Sequence, residues 1–158
     1  DFDLTKYLLN NSSYNFILIG PVSKDAIDSL NEISKHNRLH YFNAISHEEI
    51  PHYLLGADVC IIPFIKNELT VSVLPNKLFE YSATGKPSVM TNFNPHLNEF
   101  SDFVSISSKK EKFLNEINSQ IKNPRSEKVL KEFAKCFDWN VISEEYYYYI
   151  SDLIKTKK

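Results

Sequence analysis

Short apolar segments alternate with amphipathic stretches along the first two thirds of the chain. A continuous apolar run such as Asn15–Gly20 is typical of a strand buried on both faces. Similar runs between turn signals predict four more strands. The predicted strands are 15–20, 39–42, 57–64, 87–90 and 103–106. Because helical stretches separate most of them, the pattern predicts an α/β fold with a mostly parallel sheet between layers of helices.

The helices are predicted from apolar residues at helical spacing and from capping residues. Ser23 is placed to cap the second helix, and Ser46 with Glu49 three residues later forms a capping box for the third. Pro75 suits the first position of the fourth helix, which Gly85 ends. The predicted helices are 1–10, 24–35, 46–55, 75–82, 109–122, 126–136 and 138–155.

In a parallel sheet of this type, ligands bind beyond the carboxyl ends of the strands. The loops of interest are therefore those after Gly20, Phe42, Phe64 and Met90. The sequence has neither a G-x-G-x-x-G motif nor a Walker motif, so dinucleotide oxidoreduction and P-loop hydrolysis have little support. No histidine has the spacing of a metal ligand or triad member, but His96 follows the fourth strand and is a candidate to line the cleft.

Composition indicates a globular protein but does not indicate which reaction or ligand it serves. The 158 residues, 42% hydrophobic and 13% aromatic, fit one globular domain with a substantial core. A net charge of −2 without a basic block gives no electrostatic reason to expect a nucleic-acid partner. Cys60 lies inside an apolar strand and is expected to be a buried, reduced thiol, as in a cytosolic protein.

The start of the fourth helix carries an unusual charge. Lys77 lies in the first turn, where the positive end of the helix dipole disfavours a cation. Free N–H groups and a lysine at this end are suited to a diphosphate, and Glu80, on the same side, is suited to two ribose hydroxyls. An ion pair between Lys77 and Glu80 on a solvated face is the alternative explanation of the same spacing.

The segment 70–89 resembles the donor-site signature of GT-B glycosyltransferases that use nucleotide-diphosphate sugars. It has the form T-x-x-x-x-P-x-K-L-F-E-Y-x-A-x-G-K-P-x-V. FILIGP at 16–21, the segment 39–64 and Trp139 at the start of the last helix are also similar to that family, in the same order. The resemblance implies that residues 1–158 form one Rossmann-like, three-layer αβα domain, the C-terminal donor-binding domain of a GT-B enzyme.

The resemblance also implies which residues contact the donor nucleotide. The loop that matches Phe42, Asn43 and Ile45 lies against the base in the family, and Gly20 belongs to a second loop on the donor side. Asn43 replaces a glycine that is usual in the family, and asparagine tolerates the left-handed backbone that such a turn requires. A purely structural turn is the alternative for both loops.

In the family, the diphosphate meets backbone N–H groups ahead of and within the first turn of the fourth helix. The matching N–H groups are roughly those of Val73, Leu74 and Asn76, and Thr70 and Ser72 are further donor-binding candidates in the same segment. Lys77 and Glu80 are implied as the catalytic pair, because Lys77 would stabilise the departing diphosphate while Glu80 holds the ribose. Many retaining members have a second glutamate where this chain has Ser72, so the contact to the sugar and the stereochemical outcome stay open.

For the whole protein, the resemblance implies transfer of a sugar from a UDP- or GDP-type donor to an acceptor, in cell-surface polysaccharide or glycoconjugate synthesis. No metal and no further cofactor are expected. The implied partners are the nucleotide-sugar and an N-terminal acceptor domain, and the family's first strand is expected ahead of Asp1, so the fragment alone is expected to be inactive. The implied location is cytoplasmic, with peripheral association at the inner face of the cell membrane left open.

Two other functions remain open at this point. A nucleotide-sugar epimerase shares the architecture but needs an acid–base pair around the sugar, and the sequence offers no evident pair. A non-catalytic binding module, or a signalling receiver, is the second alternative. The run Tyr146–Tyr149 cannot face one core as a whole. The resemblance implies that the last helix crosses to the other domain, and ordinary surface tyrosines are the alternative.

Overall fold

A computed structural model describes residues 1–156 of the chain. The strands are β1 (Phe16–Ile19), β2 (Leu39–Phe42), β3 (Cys60–Ile62), β4 (Ser88–Thr91) and β5 (Ser105–Ser107). The helices are α1 (Phe2–Asn11), α2 (Ile27–Ile33), α3 (Ile50–Gly56), α4 (Asn76–Ala83), α5 (Lys110–Lys122), α6 (Glu127–Lys135) and α7 (Trp139–Thr156). None of these helices combines the length and hydropathy needed to cross a bilayer.

The strands form two parallel sheets, not the single sheet expected from the sequence. In the first sheet, β1 pairs with β2, with Phe16 opposite Leu39. In the second, β4 lies between β3 and β5, with Cys60 opposite Ser88. The α/β class and the parallel pairing are confirmed. The expectation of one sheet is wrong for the described residues, since no strand among them pairs with both β1 and β3.

Helices cover both faces of the β3–β4–β5 sheet, which gives this half of the molecule its three layers. Met90 lies in one cluster with Leu78 of α4 and Phe133 of α6. The next residue back along β4, Val89, points to the opposite face and lies in a cluster with Leu8 of α1. Val89 and Met90 are fully buried, and burial of each such side chain stabilises the fold by about 1.5–3 kcal/mol.

A cluster of phenylalanines joins α4 and α6 on one face of this sheet. The ring of Phe133 stacks on that of Phe103 with centroids 3.9 Å apart, and Phe79 stacks on Phe137 at 4.3 Å. Phe100 contributes edge contacts to Phe79, Phe133 and Phe137. Aromatic pairs add about 0.5–1.5 kcal/mol beyond the area they bury, so this cluster holds α4 firmly on the sheet.

The β1–β2 sheet is covered less completely. Its inner face packs on α1 and α2 through a cluster that includes Leu30 and Leu39. Ile17 and Leu18 of β1 are nevertheless 55% and 37% exposed. The expectation that this strand is buried on both faces is therefore wrong for residues 1–156, because β1 is the edge of a two-stranded sheet.

Two helices, α2 and α3, begin later in the sequence than predicted. Ser23 makes no capping bond from its side chain, and a 3₁₀ turn precedes α2. A hydrogen bond from Ser23 to Asp25 instead lowers the pKa of Asp25. In the capping box, the Glu49 carboxylate accepts hydrogen bonds from both the backbone N–H and the hydroxyl of Ser46, at 3.2 and 2.7 Å. The Ser46 hydroxyl is therefore engaged by Glu49, and α3 begins only at Ile50.

Candidate functional site

The first turn of α4 presents N–H groups that the chain does not satisfy. Pro75 is the N-cap, with extended backbone and no side-chain capping bond, so it precedes the helix and is not its first residue as expected. The N–H of Leu78 donates to the carbonyl of Pro75 at 3.0 Å. Among residues 1–156, no acceptor reaches the N–H groups of Asn76 and Lys77. This end of α4 can therefore receive an anion.

Lys77 and Glu80 are joined on the surface of α4. The Lys77 ammonium donates to Oε2 of Glu80 at 2.7 Å, and the two side chains are 52% and 35% exposed. The ion pair that the sequence left as an alternative is thus formed in this structure. Exposed pairs of this kind contribute about 0–1 kcal/mol, so a ligand can recruit either side chain at small cost.

The segment that leads to α4 is shaped by Asn67 and Thr70. The Thr70 hydroxyl donates to the carbonyl of Ile65 at 2.6 Å and accepts from the N–H of Asn67 at 2.9 Å. The Asn67 amide oxygen accepts from the N–H groups of Leu69 and Thr70, at 3.0 and 2.8 Å. The Thr70 hydroxyl is therefore used to build the turn. Sequence reasoning missed Asn67, although asparagine side chains commonly bond the backbone two residues further along, as the Asn67 oxygen does at Leu69.

Asn94 fixes the backbone just ahead of α4. Its side-chain amide donates to the carbonyl of Val73 at 3.1 Å, and its oxygen accepts from the N–H of His96 at 2.9 Å. Asn94 is buried, whereas the candidate residues Ser72 and Leu74 are exposed on either side of Val73. The loop after β4 therefore holds the approach to α4 in place. The Asn-Pro sequence at 94–95 was the available signal, since it favours the start of a turn.

Gly85 ends α4 as predicted. It adopts φ +75°, and the N–H of Lys86 donates to the carbonyl of Tyr81 at 3.0 Å, which is the bond that closes a Schellman motif. A Cβ atom at Gly85 would lie 2.2 Å from Cγ of Glu127 on α6. Glycine is thus required both by the backbone and by the close approach of α6.

Gly20 closes the end of the β1–β2 sheet. Its φ of +144° is rarely adopted by other residues, and a Cβ atom there would meet nothing within 4 Å. The N–H of Gly20 donates to the carbonyl of Phe42 at 3.1 Å, and the Tyr41 hydroxyl donates to the carbonyl of Gly20 at 2.9 Å. These bonds give Gly20 a turn-forming role and leave its ligand role a prediction.

The candidate base-contacting loop follows Phe42. The Phe42 ring is partly exposed and lies 5.6 Å from the ring of Tyr53, and Ile45 is half-buried. Asn43 does not use the left-handed backbone that asparagine tolerates, since its φ is negative. Its side-chain oxygen instead accepts from the N–H of Ala44 at 2.8 Å. The loop therefore turns without the conformation for which a glycine is needed.

A pocket of about 390 Å³ opens where β3 and β4 end. Phe64 and Lys66 line it from the loop after β3, and Thr91 and Asn92 from the end of β4. The hydroxyl of Thr91 donates to the carbonyl of Phe64 at 2.6 Å and so joins the two loops. Two of the four loops singled out from the sequence thus border a cavity. The ion pair on α4 lies outside its lining.

The remaining titratable candidates do not form an acid–base centre. Burial raises the pKa of the Cys60 thiol to about 12 and also raises the pKa of the Tyr81 hydroxyl, so both stay protonated at neutral pH. The His96 side chain is 81% exposed, lies 3.6 Å from Glu99 and is not part of the pocket lining. Within residues 1–156, no group of three potential metal ligands is found.

Comparison with known proteins identifies the family of this site. The family model "Glycosyl transferases group 1" matches residues 4–123, most of the 158-residue chain. The chain belongs to the glycosyl transferases group 1 family. The match includes β1 to β5 and α4, so the candidate site lies wholly inside the part that defines membership.

Two individual proteins are also similar to this glycosyltransferase chain. TuaH of Bacillus subtilis (strain 168), named as a teichuronic acid biosynthesis glycosyltransferase, is 31% identical over 93 residues, which are 58% of this chain and 23% of TuaH. The crystal structure of AviGT4, a glycosyltransferase involved in avilamycin A biosynthesis, superposes with a TM-score of 0.70 at 16% identity. That superposition covers 90% of this chain and 43% of AviGT4.

The structural match confirms the predicted fold, that of a GT-B glycosyltransferase. The chain spans less than half of either protein, 23% of TuaH and 43% of AviGT4. Activity, substrates and partners of the whole protein therefore belong to the proposals that follow.

Proposed function

We propose that this chain is the donor-binding part of a glycosyltransferase that uses a nucleotide-diphosphate sugar, and that the diphosphate binds at the N-terminus of α4. The observation that carries the proposal is the first turn of α4, where unsatisfied N–H groups of Asn76 and Lys77 lie beside the Lys77 ammonium. Membership of the family supports the transferase reaction over the epimerase and receiver alternatives.

Electrostatics favour an anion at this position. The positive end of the α4 dipole and the Lys77 ammonium repel each other, and in this structure the Glu80 carboxylate, 2.7 Å from the ammonium, is the acceptor that the chain itself supplies. A bound diphosphate would accept hydrogen bonds from the two free N–H groups and from the ammonium at the same time. The same donors would stabilise the negative charge that develops on the leaving nucleotide diphosphate as its bond to the sugar breaks.

Glu80 is proposed to bind the ribose once Lys77 turns to the diphosphate. Its carboxylate can accept hydrogen bonds from two neighbouring hydroxyls, and it lies one turn further along the same side of α4. Phe42 and Ile45 are proposed to contact the base, and the backbone near Thr70, Ser72, Val73 and Leu74 to border the phosphates. The donor is proposed to be a UDP- or GDP-type sugar, bound without a metal.

Calorimetric titration with UDP and with GDP tests the site. Lys77→Ala should weaken binding by about 1–2 kcal/mol, because a charge-assisted contact to the diphosphate is lost. Lys135→Ala is the matched control, since Lys135 also forms an exposed ion pair with a glutamate three residues away, at 2.8 Å. The control should bind like the parent. Equal loss in both variants would show only a change in overall charge and would contradict the site.

Glu80→Gln separates the ribose contact from the ion pair. The variant removes the charge that holds Lys77 and should weaken binding of UDP, because the ribose contact is altered. Binding of inorganic pyrophosphate, which has no ribose and no longer competes with the Glu80 carboxylate for Lys77, should be unchanged or tighter. An equal loss for both ligands would contradict the ribose role. Binding of neither nucleotide by the parent chain would favour a non-catalytic module.

The whole enzyme is proposed to carry its acceptor site on another domain and to act in cell-surface polysaccharide or glycoconjugate synthesis. TuaH, whose name places it in teichuronic acid biosynthesis, supports that setting. We also propose that the enzyme is located in the cytoplasm. A transfer assay on the 158 residues alone should give no turnover, and measurable turnover would contradict the division into two domains.

A further inference from the structure

The segment ahead of α4 contains a backbone carbonyl that could bond to the free N–H groups of the helix. In an α-helix, the N–H of each residue donates to the carbonyl four residues earlier, and in a tight turn it donates to the carbonyl three residues earlier. Val73 lies four residues before Lys77 and three before Asn76. Its carbonyl is therefore the acceptor that the chain itself could supply to either N–H group.

Pro75 opposes that closure only in part. Within residues 1–156 neither N–H group bonds to the Val73 carbonyl, and the backbone of Val73 is extended, with φ −90° and ψ 130°. Leu74 precedes the proline, and helical backbone is disfavoured there by a clash with the proline ring. The preference is not an exclusion, because Ile50 of α3 is helical although Pro51 follows it. Proline alone therefore leaves the closed arrangement accessible.

The Val73 carbonyl is instead held by Asn94. The amide nitrogen of Asn94 donates to this carbonyl at 3.1 Å, and the amide oxygen accepts from the N–H of His96 at 2.9 Å. Because the oxygen faces an N–H and the nitrogen faces a carbonyl, the orientation of the amide is determined by both partners. Asn94 is only 5% exposed, so a partner that it lost would not be replaced readily by water.

The loop that carries Asn94 is anchored on both sides of it. Phe93 and Leu97 are fully buried, and the ring of Phe93 lies 5.0 Å from that of Phe64. Val73 packs against the same cluster of buried side chains. The position of Asn94 is therefore determined by the core and not by α4, so its bond to Val73 does not require a ligand.

We propose that Asn94 is a positioning residue of the diphosphate site: it holds the Val73 carbonyl and so keeps the N–H groups of Asn76 and Lys77 free for the ligand. The inference rests on the proposed function, because it takes a diphosphate as the ligand of those groups. Asn94 acts through Val73 and does not itself contact the ligand. A helix N-terminus that is capped by its own chain has fewer donors for an anion. The loop after β4 thus sets how many donors α4 offers.

Asn94→Ser tests this role without any ligand. The serine hydroxyl can still accept from the N–H of His96, but it is too short to reach Val73. Amide hydrogen exchange at Asn76 or Lys77 should slow by about fivefold, because the released carbonyl accepts one of these N–H groups. A general loosening of the structure would instead make exchange faster at both. Unchanged or faster exchange at both amides therefore overturns the proposal.

Asn98→Ser is the matched control. Asn98 lies in the same turn, and its amide also donates to a backbone carbonyl, that of Pro95 at 3.2 Å, but the side chain is exposed. This variant should leave exchange at Asn76 and Lys77 unchanged. Equal slowing in both variants would show a general change in the turn and would overturn the proposal. If Asn94→Ser does not fold, Asn94→Asp provides the same exchange test, since an ionised carboxylate can accept but cannot donate.

Titration with inorganic pyrophosphate connects this role to the ligand. Asn94→Ser should raise the dissociation constant by about fivefold, because the ligand then competes with the Val73 carbonyl for the same N–H groups. Asn98→Ser should bind like the parent chain. Slower exchange with an unchanged dissociation constant would overturn the link to the diphosphate. If the parent chain binds no pyrophosphate, the proposed function fails, and the exchange result alone decides whether Asn94 keeps the two N–H groups free.

Discussion

The two sheets of this molecule have similar sequence patterns and very different surroundings. In the β3–β4–β5 sheet, Val89 and Met90 are fully buried between two layers of helices. In the β1–β2 sheet, Ile17 and Leu18 are equally apolar and yet partly exposed. The difference lies in the neighbours, because β4 has a strand on each edge and β1 has one. An apolar run therefore indicates what a strand can bury, and the neighbouring elements decide what it does bury.

Phe133→Ala should produce the largest loss of stability, because Phe133 packs on the β3–β4–β5 sheet, which helices cover on both faces. The ring is buried and contacts four other phenylalanine rings, so its removal should lower the free energy of unfolding by about 3–5 kcal/mol. Urea unfolding measures the change. Val129→Ala on the same helix is the control, because Val129 is about half exposed and should matter far less. Similar losses of unfolding free energy for the two variants would contradict the packing of Phe133 in the phenylalanine cluster.

Gly85→Ala should have the next largest effect, at the join between α4 and β4. The positive φ of Gly85, and the Glu127 side chain that an added Cβ atom would meet, predict a loss of about 1–3 kcal/mol in unfolding free energy. Gly56→Ala at the end of α3 has open space around its Cβ and should be neutral or stabilising. Adding Glu127→Ala should recover the part of the loss that comes from the contact. Equal effects at Gly85 and Gly56 would be inconsistent with this packing.

Alkaline pH sharpens the comparison through Cys60 of β3. Its folded pKa of about 12 lies above the ordinary value of 9.0, so the folded state keeps a proton that the unfolded state loses. The stability that the folded state gains from keeping this proton is fully present below pH 9 and is lost as pH rises toward 12. About 1 kcal/mol of it is lost by pH 10. Unfolding from pH 8 to 10 should show less decline in Cys60→Ala than in the exposed control Cys136→Ala. Parallel declines would show that Cys60 is not buried in this way.

Ile17→Thr should have the smallest effect, in the less covered half. The side chain is more than half exposed, so the change in unfolding free energy should stay within about 0.5 kcal/mol. Ile62→Thr is the matched substitution in the other sheet, where the side chain is 1% exposed and the new hydroxyl would be buried. A cost at Ile17 comparable with that at Ile62 would mean that the Ile17 side chain is covered in solution.

The sequence was sufficient for the elements and for the fold class, because local signals specify both. Apolar runs gave the strands and Gly85 gave the end of α4. The split into two sheets was not predictable in this way, since pairing is a long-range property that periodicity does not encode. The later starts of α2 and α3 were missed because Ser23 and Ser46 bond to nearby carboxylates instead of helix N–H groups.

The start of α4 was predictable from the sequence, whereas the residues that hold the segment ahead of it were not. Pro75 indicated where α4 begins, and the resemblance to the family made the first turn with Lys77 a candidate site. Asn67 and Asn94 hold the approach to that turn and were missed. The Asn-Pro sequence indicates a turn, but it does not indicate that the Asn94 amide bonds the carbonyl of Val73, 21 residues away. The role of Lys77 itself stays a prediction, since its ion pair with Glu80 is compatible with either a ligand site or a solvated face.

The most direct test of the central claim follows backbone amide chemical shifts during titration with UDP and GDP. If the diphosphate binds at the N-terminus of α4, the largest shifts should occur at Val73, Asn76 and Lys77, and Lys77→Ala should reduce them. Large shifts confined to the pocket loops around Lys66 and Asn92, or no shifts at saturating nucleotide, would contradict the claim.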